Sequence, residues 1–359
     1  MLVDISIKDV VIGLLHFSLR LLLAMIIVAI ALAWVQMKRI KRNLVDPVNS
    51  IALAAKEYVI DRQNDSNDID HFASLDIHTG DEIENLTQVM AQMEKDLAEY
   101  EENLARITAE KERISTELSL GKSIQASMLP HEFPPFPDRC EFDIYATMEP
   151  AREVGGDFYD YFLIDDDHLG IVMADVSGKG IPAALFKMTA KTILQSCAML
   201  GRSASETLSK TNEAISSNNQ TDMFVTAWFG ILEISSGQLT YANAGHEYPA
   251  LRKADGDFVL LKEKHGFVIG GMEGTKYNEY TMQLMPGDKF FIYTDGIPEA
   301  ADEDGNMYKT ARMIAALNRD SSAHPKDILV NVREDIREFV KNAEQFDDMT
   351  MLCIEYLGK

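Results

Sequence analysis

Cysteine is scarce in this chain. The 359 residues include three, at Cys140, Cys197 and Cys353. They lie far apart without metal-ligand or redox spacing, so no cysteine-based site is predicted and a reducing compartment fits. Basic residues are also few: 34 Lys and Arg stand against 57 Asp and Glu, for a net charge of −23. That deficit excludes nucleic acid as a partner, because phosphate binding needs clustered Lys and Arg. The excess carboxylate reads as a solvated surface or, if functional, as suited to divalent cations or basic protein partners. The eight histidines show no zinc-type pair on one helix face. No Gly-x-Ser-x-Gly nucleophile elbow is present. "GKG" at Gly178–Gly180 is not a dinucleotide fingerprint, and Gly121-Lys122-Ser123 lacks the first glycine of a phosphate loop, since Thr116 stands there. What remains is a chain that is 46% hydrophobic and 25% charged, long enough for two or three folded domains.

One long apolar run stands near the start. Val10 to Met37 reads "VVIGLLHFSLRLLLAMIIVAIALAWVQM", and Leu21 to Val35 carries no charge. With His16 and Arg20 included, the run is long enough to cross a bilayer. Arg20 is a cost, reduced by snorkelling or a partner helix. Lys38, Arg39, Lys41 and Arg42 follow at once, whereas Asp4, Lys8 and Asp9 flank the other side. This asymmetry predicts a single-pass anchor in the cell (inner) membrane with the C-terminal side cytoplasmic. A signal peptide fits less well, because the leading residues are not basic and no small-residue cleavage site follows.

Two helical patterns come next. "NLVDPVNSIALAAKEYVI" has Pro47 near its start, and the polar stretch "DRQNDSNDIDHFASLDIHTG" breaks its period. The second pattern restarts at "DEIENL". Ile83, Leu86, Met90, Met93, Leu97, Tyr100, Leu104 and Ile107 alternate steps of three and four; Lys111 interrupts, and Ile114 and Leu118 continue. Charged flanks around such a stripe predict a coiled-coil seam. A membrane span, a helix with Pro47, an irregular connector and a restart at Gly80-Asp81-Glu82 together resemble a HAMP signalling module. That resemblance implies a parallel dimeric four-helix bundle and hence a homodimer. Four prolines from Pro130 to Pro137 then stop any helix. The predicted organisation is 1–37 transmembrane helix, 38–96 HAMP, 97–128 coiled-coil linker and 129–359 output domain.

From Cys140 onward, strands and turns dominate, joined by three helical stretches beginning at Ile181, Ser203 and His324. Consecutive strands with helices in separate blocks predict an α+β fold with antiparallel sheets. One feature recurs at the strand ends. Asp157 follows Gly155-Gly156 inside "VGGDFYDYFLID", a stretch that otherwise reads as strand. Asp175 ends "LGIVMAD", Asp295 ends "KFFIYTD", and Asp347-Asp348 open "DDMTMLCIEY". A single Asp before Gly is a turn residue. Four such sites around one sheet system point instead to hard, oxygen-loving cations such as Mg or Mn. The two glycines are then expected to leave room beside Asp157 for a metal and its waters. His246, in "NAGHEYP" with Asn243, reads as a structural histidine rather than an acid, and Cys197 reads as core.

The segments "AREVGGDFYD", "ADVSGKGIPAAL", "ANAGHEYPAL", "YTDGIPEA" and "FDDMTMLCIEY" occur, in order, as in metal-dependent protein phosphatases of the PPM superfamily. The chain most resembles their SpoIIE and RsbU branch from about Leu120 to Tyr356. The resemblance implies two packed antiparallel sheets flanked by helices and two Mn or Mg ions. Asp157, Asp175, Asp295 and Asp347 would be the metal-binding carboxylates, with the Val176 carbonyl a further ligand. Asp348 is the alternative to Asp347, and Arg152 would bind phosphate. The wider superfamily's Asp-Gly-His-Gly is replaced by Asp175-Val176-Ser177-Gly178, so its proposed acid histidine is missing. The implied substrate is phosphoserine or phosphothreonine on an anti-anti-sigma-type (STAS) protein. Two other readings are a catalytically degenerate signalling scaffold, which the intact aspartates disfavour, and a nucleotide cyclase output, whose motifs are absent.

Overall fold

The computed structural model describes residues 7–63, 70–217 and 219–358. The flanking Asp4, part of the polar connector at 64–69, and Asn218 lie outside them. The chain divides into two compact units, 1–113 and 114–359.

In the first unit, α1 (Ile7–Ile40) carries the apolar run and ends on Lys38 and Arg39, cations suited to a helix C-terminus. It is the one helix among the described residues long and apolar enough to cross a membrane, and none of its hydrophobic window is buried. A short π-helical stretch, Lys41–Val45, leads into α2 (Asp46–Gln63). The second helical pattern forms α3 (Glu82–Met128), unbroken for 47 residues. Ile51 and Ala54 of α2, Phe72 and Ile77 of the connector, and the partly buried Ile83 and Met90 of α3 make a small core. Further along α3, Met93, Leu97, Tyr100, Leu104 and Ile107 are exposed.

The second unit holds ten strands in two five-stranded antiparallel sheets. One runs β1 (Phe142–Glu149), β10 (Met349–Tyr356), β9 (Lys289–Tyr293), β6 (Ala250–Arg252), β7 (Phe258–Leu260). The other runs β2 (Phe158–Leu163), β3 (His168–Val176), β4 (Val225–Glu233), β5 (Gln238–Ala244), β8 (Glu279–Gln283). The second sheet is a meander through four consecutive strands. Pairing of β1 with β10, and of β6 with β9, joins segments remote in sequence. Strands such as β3 and β9 are buried almost throughout, which explains their near-continuous apolar sequences. Trp228, Tyr241 and Phe290 fill the main core with ring centroids 5.1–6.3 Å apart.

The helices carry their own start signals. α4 (Ile181–Ala198) begins after Gly180, at φ 77°, with a proline in its first turn. α5 (Ala204–Ser216) opens on a capping box between Ser203 and Glu206. α7 (Pro325–Val340) opens on proline. A further helix, α6 (Lys309–Leu317), lies between β9 and α7, where the sequence predicts none. It buries only Met313, Ala316 and Leu317, too few periods to stand out as a pattern.

Candidate active site

Antiparallel pairing places the carboxylates together. Asp157 immediately precedes β2 and Asp175 is the penultimate residue of β3; the register Phe158↔Ala174 puts those two ends side by side. Asp295 lies two residues after β9 and Asp347-Asp348 immediately precede β10, with Met351↔Tyr293 in register. Two threonines lock the sheets to each other there. Asp157 Oδ2 accepts the Thr294 hydroxyl at 2.6 Å and the Thr350 hydroxyl at 2.7 Å. Asp157 leads into β2 of one sheet, whereas Thr294 directly follows β9 and Thr350 lies in β10 of the other. All three side chains are buried, so the aspartate is held by two hydrogen bonds before any ligand arrives.

The glycines answer to closer neighbours than a hydrated metal. A β-carbon on Gly155 would lie 2.0 Å from Asp348 Oδ2, and one on Gly156 would lie 2.9 Å from the Val176 carbonyl oxygen. The room is therefore taken up by the Asp348 carboxylate and the Val176 carbonyl, a correction to the sequence expectation. The strand also starts later than expected, at Phe158, because Gly155–Asp157 fold over these groups instead of pairing. Asp348 Oδ1 accepts the Ala151 N–H at 2.8 Å and Oδ2 the Asp157 N–H at 3.3 Å. Asp348 thus fastens the loop that carries Asp157. Asp347 is more open and pairs with Lys179 Nζ at 2.8 Å.

Electrostatics separate the cluster from ordinary surface acid. Burial, reinforced by Asp175 and Asp348, holds the Asp157 carboxyl well above the usual range. Burial and Asp295 push Asp175 up to about 7, and burial with Glu299 and Asp347 pushes Asp295 up to about 6. Like charges gathered out of water favour protonation, and a cation reverses that preference. The donor set fits such a cation: it is all oxygen, as hard divalent ions prefer. No three acidic, His or Cys side chains among the described residues form a closed ligand group.

The pKa shifts have a sign that thermal melting can read. Asp175 and Asp295 bind protons more tightly folded than unfolded, so their contribution is fully present at pH values below the unfolded carboxylate pKa. It is lost as pH rises from about 4 through about 7. Chelator-treated protein is expected to melt several degrees lower at pH 7.5 than at pH 5, with Asp175→Asn flattening the slope. Lys187, lowered by burial to about 8, titrates above that window. A melting temperature that rises across it in the parent protein, or an unchanged slope in the variant, would contradict the assignment.

The sequence matches the family described as Stage II sporulation protein E (SpoIIE) over residues 165–357, more than half of the chain. The chain belongs to the SpoIIE family. Among similar proteins, Protein IcfG of Synechocystis sp. is 31% identical over 265 residues, covering 66% of this chain and 41% of IcfG. Phosphoserine phosphatase RsbU of Bacillus subtilis is 27% identical, covering 68% of this chain and 71% of RsbU. The chain thus spans less than half of one of these relatives and about seven-tenths of the other. The fold is shared with the solved SiaA-PP2C domain of Pseudomonas aeruginosa, with a TM-score of 0.61 at 23% identity, over 69% of this chain and 99% of that domain.

Within this SpoIIE-family domain the structure also places the remaining predicted residues. Arg152 is exposed and lines the same narrow cleft as Asp175, Gly178, Lys179 and Asp347. Val176 ends β3. His246 is buried, its Nδ1 lies 2.9 Å from Thr226 Oγ1, and its N–H donates to Asn243 Oδ1 at 2.7 Å. Burial lowers it to about 3, so it stays neutral and structural, as expected. Cys197 is half-buried rather than core, and all three cysteines are free.

Three lysines were not predicted. Lys179 holds Asp347 and sits 3.6 Å from the Phe346 ring centroid. Lys191 makes a buried 2.6 Å pair with Asp160. Lys187 is 3% exposed. Burial lowers its pKa while Asp157 and Asp348 oppose the shift, so it offsets part of their charge from behind. A signal was available in "FKMTAKT": lysines four apart on the apolar face of α4 face one partner surface.

Proposed function

We propose that the chain is a membrane-tethered bacterial serine/threonine protein phosphatase that removes phosphate from a partner protein in a Mn- or Mg-dependent reaction. The observation that carries this is the meeting of Asp157, Asp175, Asp295 and Asp347 at one end of a SpoIIE-family sandwich. Two bound cations would lower the pKa of a water for in-line attack on phosphorus and neutralise phosphoryl oxygens. The chain's own residues set the stage. Thr294 and Thr350 fix Asp157 through Oδ2, so its other oxygen would be the one to face a cation. Asp175, Asp295 and Asp347 supply the remaining charge, and the Val176 carbonyl offers a neutral donor. Asp348 holds the loop beneath them. Arg152 and Lys179 are the cations in the cleft for the phosphoryl group. The missing superfamily histidine leaves solvent or another side chain to protonate the departing serine.

The substrate implied by the family resemblance is an anti-anti-sigma-type STAS protein, and with it comes a role in sigma-factor control. The apolar α1 with its basic flank supports single-pass anchoring with the catalytic domain cytoplasmic. The exposed stripe on α3 supports a parallel homodimer, and the small core of α2, connector and α3 supports a HAMP unit that passes a signal along it. The deciding assay is Mn-dependent hydrolysis of phosphoserine protein by the full chain, with a chelator control. No chelator-sensitive turnover would overturn the reading in favour of a non-catalytic scaffold.

The dimer reading predicts phase dependence. Deleting the seven residues 97–103 keeps the stripe on its face and is expected to preserve regulation. Deleting four rotates the stripe and is expected to lock activity high or low. Equal basal and stimulated activity of both variants in membranes would make α3 a passive tether.

A further inference from the structure

Beside the carboxylate cluster lies a cavity of about 180 Å³ that the chemistry above does not use. Its walls are aliphatic: Ile336 and Val340 of α7, with Met349 and Met351 at the start of β10. Ile336 and Met351 are buried, so part of the wall is apolar side chain shielded from solvent. A cavity of roughly 150 Å³ with such walls holds a benzene-sized group. Gly296 and Asp347 also line it, and these adjoin or belong to the catalytic set. A segment that lays a phosphoserine over the carboxylates can therefore reach this cavity with a neighbouring side chain.

The polar lining narrows the occupant. Glu149 Oε1 accepts from Arg333 at 3.2 Å and from Arg337 at 3.5 Å, so one carboxylate is shared by two cations and offsets part of their charge. Arg333 Nε is buried without an acceptor among the described residues, a donor available to an incoming carbonyl. Glu299 and Glu344 also line the cavity and make no ion pair among the described residues. Glu299 and Glu344 thus give one part of the lining an acidic character beside the apolar walls, and Phe346, 71% exposed, lines it too.

We propose that this cavity is a specificity pocket that takes a leucine- or methionine-sized side chain of the phosphoprotein substrate, with a lysine or arginine next to it meeting Glu299 and Glu344. The inference rests on the phosphatase reading and adds the substrate feature that the site selects. An apolar side chain moved from water into such a pocket is expected to lower KM by roughly ten-fold or more. The pocket contributes nothing to a substrate too small to reach it.

The test uses the full chain in lipid nanodiscs. Its probes are phosphoserine peptides that differ only in carrying leucine-lysine or serine-serine at each flanking position, with p-nitrophenyl phosphate as the small ester. Leucine-lysine at one offset is expected to lower KM at least ten-fold. Ala343→Phe, which fills the cavity, is expected to reduce that preference below two-fold and leave p-nitrophenyl phosphate turnover within two-fold of the parent. Ala301→Leu, at another lining position, also fills it and serves if Ala343→Phe fails to fold, as loss of small-ester turnover would reveal. Glu344→Lys is expected to weaken only the lysine contribution. Absence of a leucine-lysine preference in the parent, or its survival in the filled variant that still hydrolyses the small ester, would overturn the pocket. No Mn-dependent turnover of either substrate by the parent would instead overturn the phosphatase reading.

Discussion

Asp175→Asn and Asp295→Asn are each expected to lose Mn-dependent turnover by on the order of 10³-fold, the scale of removing one preorganised electrostatic partner, while the domain stays folded. Both side chains sit at strand ends and take no part in the apolar core. Their carboxyls are raised to about 7 and about 6, chiefly by burial. An uncharged isostere relieves that penalty, so each variant is expected to melt a few degrees higher than chelator-treated parent at pH 7.5. Added Mn²⁺ is expected to stabilise the parent strongly and the variants weakly, because stabilisation follows affinity for the folded state. Turnover by both variants within a few-fold of the parent would remove these aspartates from the metal site. Lower melting temperatures would show that burial of their charge is not the dominant cost.

Gly296→Ala and Gly155→Ala are expected to damage the same site without touching a metal-binding side chain. A β-carbon on Gly296 would lie 2.0 Å from the Asp348 carbonyl oxygen, and one on Gly155 equally close to the Asp348 carboxylate. The first obstacle is backbone at the start of β10 and cannot rotate away. The second is a carboxylate already held by the Ala151 and Asp157 N–H groups. Relief requires moving the loop that carries Asp157 or the segment that carries Asp347. Overpacking of this kind costs about 1–3 kcal/mol. A displacement near 1 Å at reacting groups lowers rate by about 10²-fold. Gly256→Ala is the control, because its nearest contact is 3.6 Å away. Circular dichroism melts together with Mn-dependent turnover would measure both effects. Parent-like activity in Gly296→Ala would show that the tight packing at Asp348 does not position the site.

The strand and helix pattern was largely legible because it is local. Alternating or continuous apolar runs marked the strands, and Ser203 with Glu206, Pro325 and Gly180-Ile181-Pro182 marked helix starts. The short helix Lys309–Leu317 was not legible, since three buried residues carry too little periodic signal. The four aspartates were legible through their shared position at the ends of apolar strands. Lys187 and Lys191 were harder to read: their four-residue spacing puts them on one face of α4, but a lysine in a helical apolar stripe can equally snorkel to solvent.

The sequence by itself determined the α+β class, the long apolar helix with its basic flank, and which carboxylates stand at strand ends. These depend on hydrophobic period, turn chemistry and charge order along the chain. Only the tertiary structure decided what Gly155 and Gly156 are for, and that Asp348 clamps a loop while Asp347 faces Lys179. It alone decided that Thr294 and Thr350 hold Asp157 from the opposite sheet, and that an apolar cavity adjoins the cluster. Most of these contacts, such as Asp157 with Thr294 and Thr350 or Gly155 with Asp348, join residues more than a hundred positions apart, brought together when β1 pairs with β10 and two sheets pack face to face. Contacts across that distance are set by register and packing, and no local pattern of residues carries them.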